Sequence, residues 1–162
     1  MAAVDYYLKI DGIDGESTKD KAKDHIEVLT WSWGETNAGS FAHGKGGGTG
    51  KVLMGDFHFT MTINKASPKL MLACATGDHI KSGILTCRKG GKEQQDYLVI
   101  KFAELLISSY QTGGELNSDN LPTDSCSFNY SKIEIEYKEQ KQDGTLGSPV
   151  KVGYDVKTGK KV

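Results

Sequence analysis

The stretch His43-Gly44-Lys45-Gly46-Gly47-Gly48-Thr49-Gly50-Lys51-Val52 is the first candidate for chemistry, because a glycine-rich loop ending in Gly-Lys can cradle phosphate. Neither register completes that motif. Ending at Gly50-Lys51, the first required glycine is Lys45 and the metal-holding hydroxyl is Val52; starting from Gly39, the spacing to Gly44-Lys45 is right but Gly46 lacks the hydroxyl. A phosphate loop also opens a helix, whereas this one leads through Val52 and Leu53 toward an alternating strand. Nucleotide binding is therefore set aside.

Glu134 and Glu136 are a second candidate. On a strand they share one face, about 6.5 to 7 Å apart, a separation a glycosidase could use. The plainer reading is a solvated or intersubunit strand face, since charged residues normally occupy the polar side of an alternating strand. His25, His43, His58 and His79 show no zinc spacing, no Gly-x-Ser-x-Gly elbow occurs, and no cysteine has a catalytic signature. No catalytic residue, metal or cofactor is assigned. Cys74, Cys87 and Cys126 are odd in number and far apart, which argues against a disulfide framework and for a reducing compartment; all three read as small buried apolar residues.

The elements that must position these groups belong to a single domain spanning residues 1–162. At this length roughly two thirds of the unfolded chain's surface can be buried. The balance of 20 basic and 21 acidic residues gives no reason to expect nucleic acid. The longest apolar run, Leu70 to Ala75, is far short of the ~20 residues that cross a bilayer, and Asp5 and Lys9 interrupt any signal-peptide core. Membrane insertion and classical secretion are not expected.

Val4 to Ile10, His25 to Gly34, Phe57 to Ile63, Ile84 to Arg88, Tyr97 to Tyr110, Cys126 to Tyr137 and Val150 to Val156 read as strands, about seven in all. Two of them change apolar phase, near Leu29 and near Ser131-Lys132. Such breaks suit a curved sheet or barrel. Residues 16–24 are mostly charged and read as a solvated loop. Ser67 reads as N-cap, Pro68 as the first helical residue and Gly77 as the stop of one short helix, which must be stabilised by docking on the sheet. Lys157, Lys160 and Lys161 form a basic tail that reads as disordered, without an assigned role.

Trp31 and Trp33 share one strand face and Ser32 takes the other, so the indoles define the inward direction and Ser32 points away from the core. The connection from Gly34 to Lys51 is long for a compact domain, and ordering it would cost on the order of 15 to 30 kcal/mol of backbone entropy. Its few apolar side chains cannot recover that. The loop must stay mobile or dock against another chain.

With Trp31-Ser32-Trp33-Gly34, Gly39-Ser40, Gly46 to Lys51, Ser67-Pro68, Leu70, Ala73-Cys74, Gly77, Arg88-Lys89, Tyr97 and Ser108-Ser109 in this order and spacing, the chain resembles the haemolysin-coregulated protein family from about Val4 to Val156. The resemblance implies a mainly β fold, a small β-barrel of about seven strands with one short flanking α-helix. It further implies a tube component of the bacterial type VI secretion system, not an enzyme. Its partners would be copies of itself in hexameric, stacked rings, a contractile sheath, spike tip proteins and small effectors in the lumen. The protein would be cytoplasmic before assembly and then expelled without a signal peptide. Ser32 would face the lumen, and Asn37, Ser40, Phe41, His43, Lys45 and Lys51 would make stacking or intersubunit contacts. Two rivals stay open on the residues alone: a monomeric barrel or sandwich binding peptide or sugar, and a hydrolase using Glu134 and Glu136.

Overall fold

The computed structural model describes residues 3–39, 51–90 and 94–162, and among these there are eleven strands and one helix. β1 (Val4–Ile10) pairs with β2 (Ile26–Val28) and with β7 (His79–Lys89). β3 (Thr30–Ser32) pairs with β6 (Phe57–Thr62), β6 with β9 (Thr123–Gln140), β9 with β8 (Gln95–Gly113) and β8 with β7. All these ladders are antiparallel. Only Leu29 separates β2 from β3, and its N–H donates to the Thr60 carbonyl at 2.8 Å. One bent strand thus hands the ladder from β1 to β6, and the pairings run in a circuit.

The expected break at Leu29 is this hand-over. Leu29 is exposed, while Ile26 and Val28 before it are buried. The second expected break is wider than the sequence suggests. On β9 the buried set passes from Cys126, Phe128 and Tyr130 to Ile133; on β8 it passes from Ile100 and Phe102 to Leu105 and Ile107. β7 changes likewise, from Ile80 to Leu85 and Cys87. Registers on either side agree, with Phe102 opposite Ile133 and Leu105 opposite Tyr130, so no residue is inserted. A crease through Lys81, Glu104 and Ser131 turns all three strands over together. Glu104 carries the left-handed backbone, at φ 54°. At this crease β9 exchanges its second partner, from β6 to β10 (Leu146–Asp155). Long strands can thereby serve two sheets.

The core is aromatic at its centre. Phe57, Phe102 and Phe128 lie with ring centroids 5.0 to 5.1 Å apart, and Phe102 meets Phe128 edge to face. Such pairs add about 0.5 to 1.5 kcal/mol each beyond the area they bury. Helix α1 (Ala66–Thr76) lies against β8 and buries Ala66, Ser67, Leu70 and Ala73. Gly77 ends it as expected, at φ 69°, its N–H donating to Ala73. Its start differs from the expectation. Lys65 is the N-cap residue, and Ser67 lies inside the first turn, where its hydroxyl donates to buried Asp124 at 2.5 Å. Asn64 accepts from the Ala66 N–H instead, at 2.8 Å.

Three further readings change. The strand count exceeds seven because His25 to Gly34 divides into β2 and β3, and because β4 (Glu35–Asn37), β5 (Val52–Met54) and β11 (Lys160–Lys161) are too short to show a period. The basic tail is ordered: β11 pairs with Tyr154 and Asp155, and Lys157 Nζ lies 2.5 Å from Glu104. Residues 16–24 are pinned, with Ser17 and Ala22 buried, and the Asp20 carbonyl accepts from Arg88 Nη1 at 2.6 Å. No helix among the described residues is long and apolar enough to cross a membrane.

Candidate functional site

Beyond Ser32 the β3–β6 hairpin continues as a second, two-stranded sheet of β4 and β5, with Glu35 opposite Met54 and Asn37 opposite Val52. The two ladders join where Gly55 N–H donates to the Gly34 carbonyl at 2.9 Å. A β-carbon on Gly55 would stand 2.6 Å from that oxygen, so the close approach requires glycine. The root of this arm is held from the core. Trp33 Nε1 donates to the Tyr130 hydroxyl, and that hydroxyl donates to the Gly55 carbonyl at 2.9 Å. Burial pushes the Tyr130 phenol above its ordinary value.

Both tryptophans pack partly buried against the core. Trp31 stacks on Phe57 at 6.0 Å and meets the edge of Tyr6. Ser32 is exposed on the opposite face, as expected, across from His58. Its neighbours on that sheet surface are small and hydroxylated: Thr30 and Thr60 hydroxyls lie 2.6 Å apart, and Thr62, Thr123 and Ser125 follow across β6 and β9. The surface offers hydrogen bonds with little charge.

Asn37 lies in β4 and accepts the Gly39 N–H through Oδ1 at 2.8 Å. Lys51 is exposed just before β5. Ser40, Phe41, His43 and Lys45 lie outside the described residues. The arm's Leu53 is 66% exposed.

Glu134 and Glu136 stand half-buried among cations. Glu134 lies 3.7 Å from Lys151 and 4.0 Å from Lys132, and Glu136 lies 3.8 Å from Lys138. Such pairs contribute about 0 to 1 kcal/mol each. The opposite face of β9 and β10 is apolar yet open: Tyr137 pairs with Val150, and Val152 with Ile135, and Tyr137, Val150 and Val152 are exposed. The alternation Val150, Val152 was the one signal for it. The outer edge of β10 from Leu146 to Val152 has no strand beside it among the described residues. Unpaired edges and open apolar strips are where other chains attach.

The described residues contain no group of three or more side chains able to hold a metal. Burial pushes the Cys87 and Cys126 thiols up to about 12, as inert core residues, while Cys74, on the helix's docked face and packed against the core, is only partly buried, against expectation.

Comparison with known proteins agrees with this geometry. The profile of the family described as type VI secretion system effector, Hcp, matches residues 7–137. The protein hcp1 of Pseudomonas aeruginosa is 43% identical over 157 residues, covering 96% of each chain. A solved structure of a type six secretion system protein superposes with a TM-score of 0.93 at 33% identity, covering 99% of this chain and 100% of that one. The crystal structure of Hcp1 from Salmonella typhimurium gives 0.81 at 33% identity, with 100% of both chains covered. With a mainly β fold, one helix and a match along nearly its whole length, this chain belongs to the Hcp family of the type VI secretion system.

Proposed function

We propose that the protein is a structural tube component, a homohexameric ring that stacks into a hollow tube and carries small effectors. One observation carries this beyond family membership. A fully cored subunit leaves the strip Tyr137, Val150 and Val152 and the edge of β10 uncovered, which a rotationally closing head-to-tail contact would cover. In this reading Ser32 and its hydroxylated neighbours line the lumen, where a surface low in charge holds cargo without binding it tightly. Asn37, Lys51 and the arm between them make stacking contacts, and Glu134 and Glu136 help orient a neighbour. Sheath and spike proteins would contact the assembled tube, and export would follow from assembly in the cytoplasm. Function lies in shape rather than catalysis.

Sedimentation and negative-stain imaging of the purified chain test it. Annular particles of about six copies are expected, with Val150→Glu and Val152→Glu together giving folded monomers, since a buried unpaired carboxylate at an interface is costly. Monomers from the parent chain at high concentration would overturn the assembly.

A further inference from the structure

A single extra residue reshapes the sheet face that carries Ser32. Along β8 the register passes from Ile107 opposite Phe128 to Ser109 opposite Ser127, which leaves Ser108 as a bulge. Ser127 alternates with Cys126 and Phe128 and so points away from the core they fill, yet it is only 3% exposed. The bulge helps to cover it. The Ser127 hydroxyl lies 2.8 Å from that of Ser108 and 2.5 Å from that of Ser109. Ser108 also donates to Asp56 Oδ2 at 2.6 Å, so this row of hydroxyls ends on a carboxylate.

Asp56 is fixed from two directions. Gly55 before it is tied to Gly34 through its N–H and to Tyr130 through its carbonyl, and Ser108 holds one carboxylate oxygen. No ion pair among the described residues involves Asp56. Nothing on this face answers its charge. The segments that build the face, residues 30–32, 57–62, 106–113 and 123–130, contain no lysine or arginine, and their one carboxylate, Asp124, is buried on the core side. His58 is the one basic side chain there; the rest of the surface around Asp56 is hydroxyl and amide. A partner covering this face with apolar groups would strand a half-buried carboxylate, and an acidic partner would be repelled. The complement of the face is a neutral polar surface bearing a cation.

We infer that Asp56 selects the cargo: it receives a lysine or arginine side chain from the surface of a small effector protein, while the hydroxyls around it bond to the neutral groups beside that side chain. The inference rests on the proposed reading in which this face lines the lumen. One exposed ion pair contributes only about 0 to 1 kcal/mol. A ring repeats the carboxylate in every copy, so cargo with several basic side chains engages several copies at once and the weak pairs reinforce one another. Ser108 has already positioned the carboxylate, which lowers the cost of ordering it on contact. Effectors carried by this chain are therefore basic where they touch the wall.

Equilibrium dialysis of hexalysine and hexaglutamate against the purified full chain tests it, at pH 8 and low ionic strength, once negative-stain imaging has shown rings. Hexalysine should bind and hexaglutamate should not. Asp56→Asn keeps an oxygen for Ser108 but loses the charge, and should weaken hexalysine binding about tenfold or more. Ser32→Lys, on exposed Ser32 diagonally across the ladder from Asp56, brings an ammonium to the carboxylate and should weaken it as much. Asp56→Glu should stay within about threefold of the parent, and Asp143→Asn, on the exposed turn between β9 and β10, should match it. Rings that bind hexaglutamate as well as hexalysine, or either charge-cancelling variant binding hexalysine like the parent while still forming rings, overturn the selection and leave the assembly standing. Monomers alone from the parent chain overturn the assembly, and the selection with it.

Discussion

The Trp33 indole N–H donates to the Tyr130 hydroxyl, which passes its own hydrogen to the Gly55 carbonyl, so a residue of β9 fastens both sides of the arm's root. Tyr130 is buried and Trp33 is not fully so, and none of the described residues of the arm beyond them is buried. Tyr130→Phe keeps the ring and removes both links. It should cost about 1 to 3 kcal/mol in urea unfolding, the scale of stranding partly buried polar groups. It should also speed hydrogen exchange in β4 and β5 while leaving β8 and β9 protected. Equal acceleration everywhere would mean that the phenol supports the whole sheet and not the arm.

The crease makes a different demand. Glu104 sits in the left-handed region, where a β-branched residue is disfavoured and asparagine is tolerated. Its carboxyl is held below the usual carboxylate range chiefly by the hydrogen bond from Lys157, and Ser131 opposite adds to it. Both Glu104→Asn and Glu104→Val lose that carboxylate, so their difference isolates the backbone. The valine variant should melt lower than the asparagine variant by about 2 °C or more. Identical melting would remove the strain from the account of the crease.

Much of this was legible beforehand where one side chain set answers to one face. The alternation of Phe57, Phe59 and Met61 dictates β6, and the phase changes at Leu29 and Ser131 mark the bends, because a strand cannot change its buried parity without turning over. Gly77 announced the helix end through its positive φ. What stayed hidden depends on partners distant in sequence. Ser67 reads as a cap until Asp124, 57 positions away, takes its hydroxyl. Lys157 reads as tail until Glu104, 53 positions away, binds it. Three-residue strands such as β4 and β5 carry no period at all; pairing alone creates them. From the sequence alone Glu35 to Asn37 therefore read as part of a long loop.

Arg88 is 3% exposed and serves three groups at once. Nε lies 2.8 Å from Asp96, Nη1 donates to the Asp20 carbonyl at 2.6 Å, and the guanidinium lies 5.1 Å from the Tyr7 ring centre. A lysine ammonium cannot fork in this way. Arg88→Lys should cost about 1.5 to 3 kcal/mol and free residues 16–24 to exchange, whereas Asp96→Asn should cost no more than about 1 kcal/mol because Asp96 is 41% exposed. Equal losses from the two variants would show that the carboxylate, not the carbonyl and ring, dominates the anchor.

His25 sets a pH dependence. Burial holds its imidazole below the ordinary histidine value, with Lys9 and Arg88 adding to the effect against Asp24 and Asp14, and its Nδ1 is buried without a partner. The unfolded chain therefore takes up the proton first as pH falls. Stability contributed by neutral His25 is complete above about pH 6.5 and declines below it, toward the lower folded value. The urea midpoint should fall between pH 7 and pH 5, and His25→Gln should flatten that slope. An unchanged slope in the variant would assign the acid sensitivity to other groups.

The three cysteines should separate by reactivity in the folded protein. Thiolate, not thiol, attacks a disulfide reagent, and with a pKa of about 12 only about one in ten thousand Cys87 or Cys126 side chains is ionised at pH 8. Access is closed as well, since both are buried. Cys74 is partly open on α1 and should react alone, with the other two appearing only on denaturation. Cys87 and Cys126 sit on β7 and β9 of the circuit, so their slow labelling also reports its opening. If they react as fast as Cys74 without any loss of ellipticity, the core opens in the native state and the burial argument fails; if they follow the unfolding rate, the circuit of strands opens as one unit.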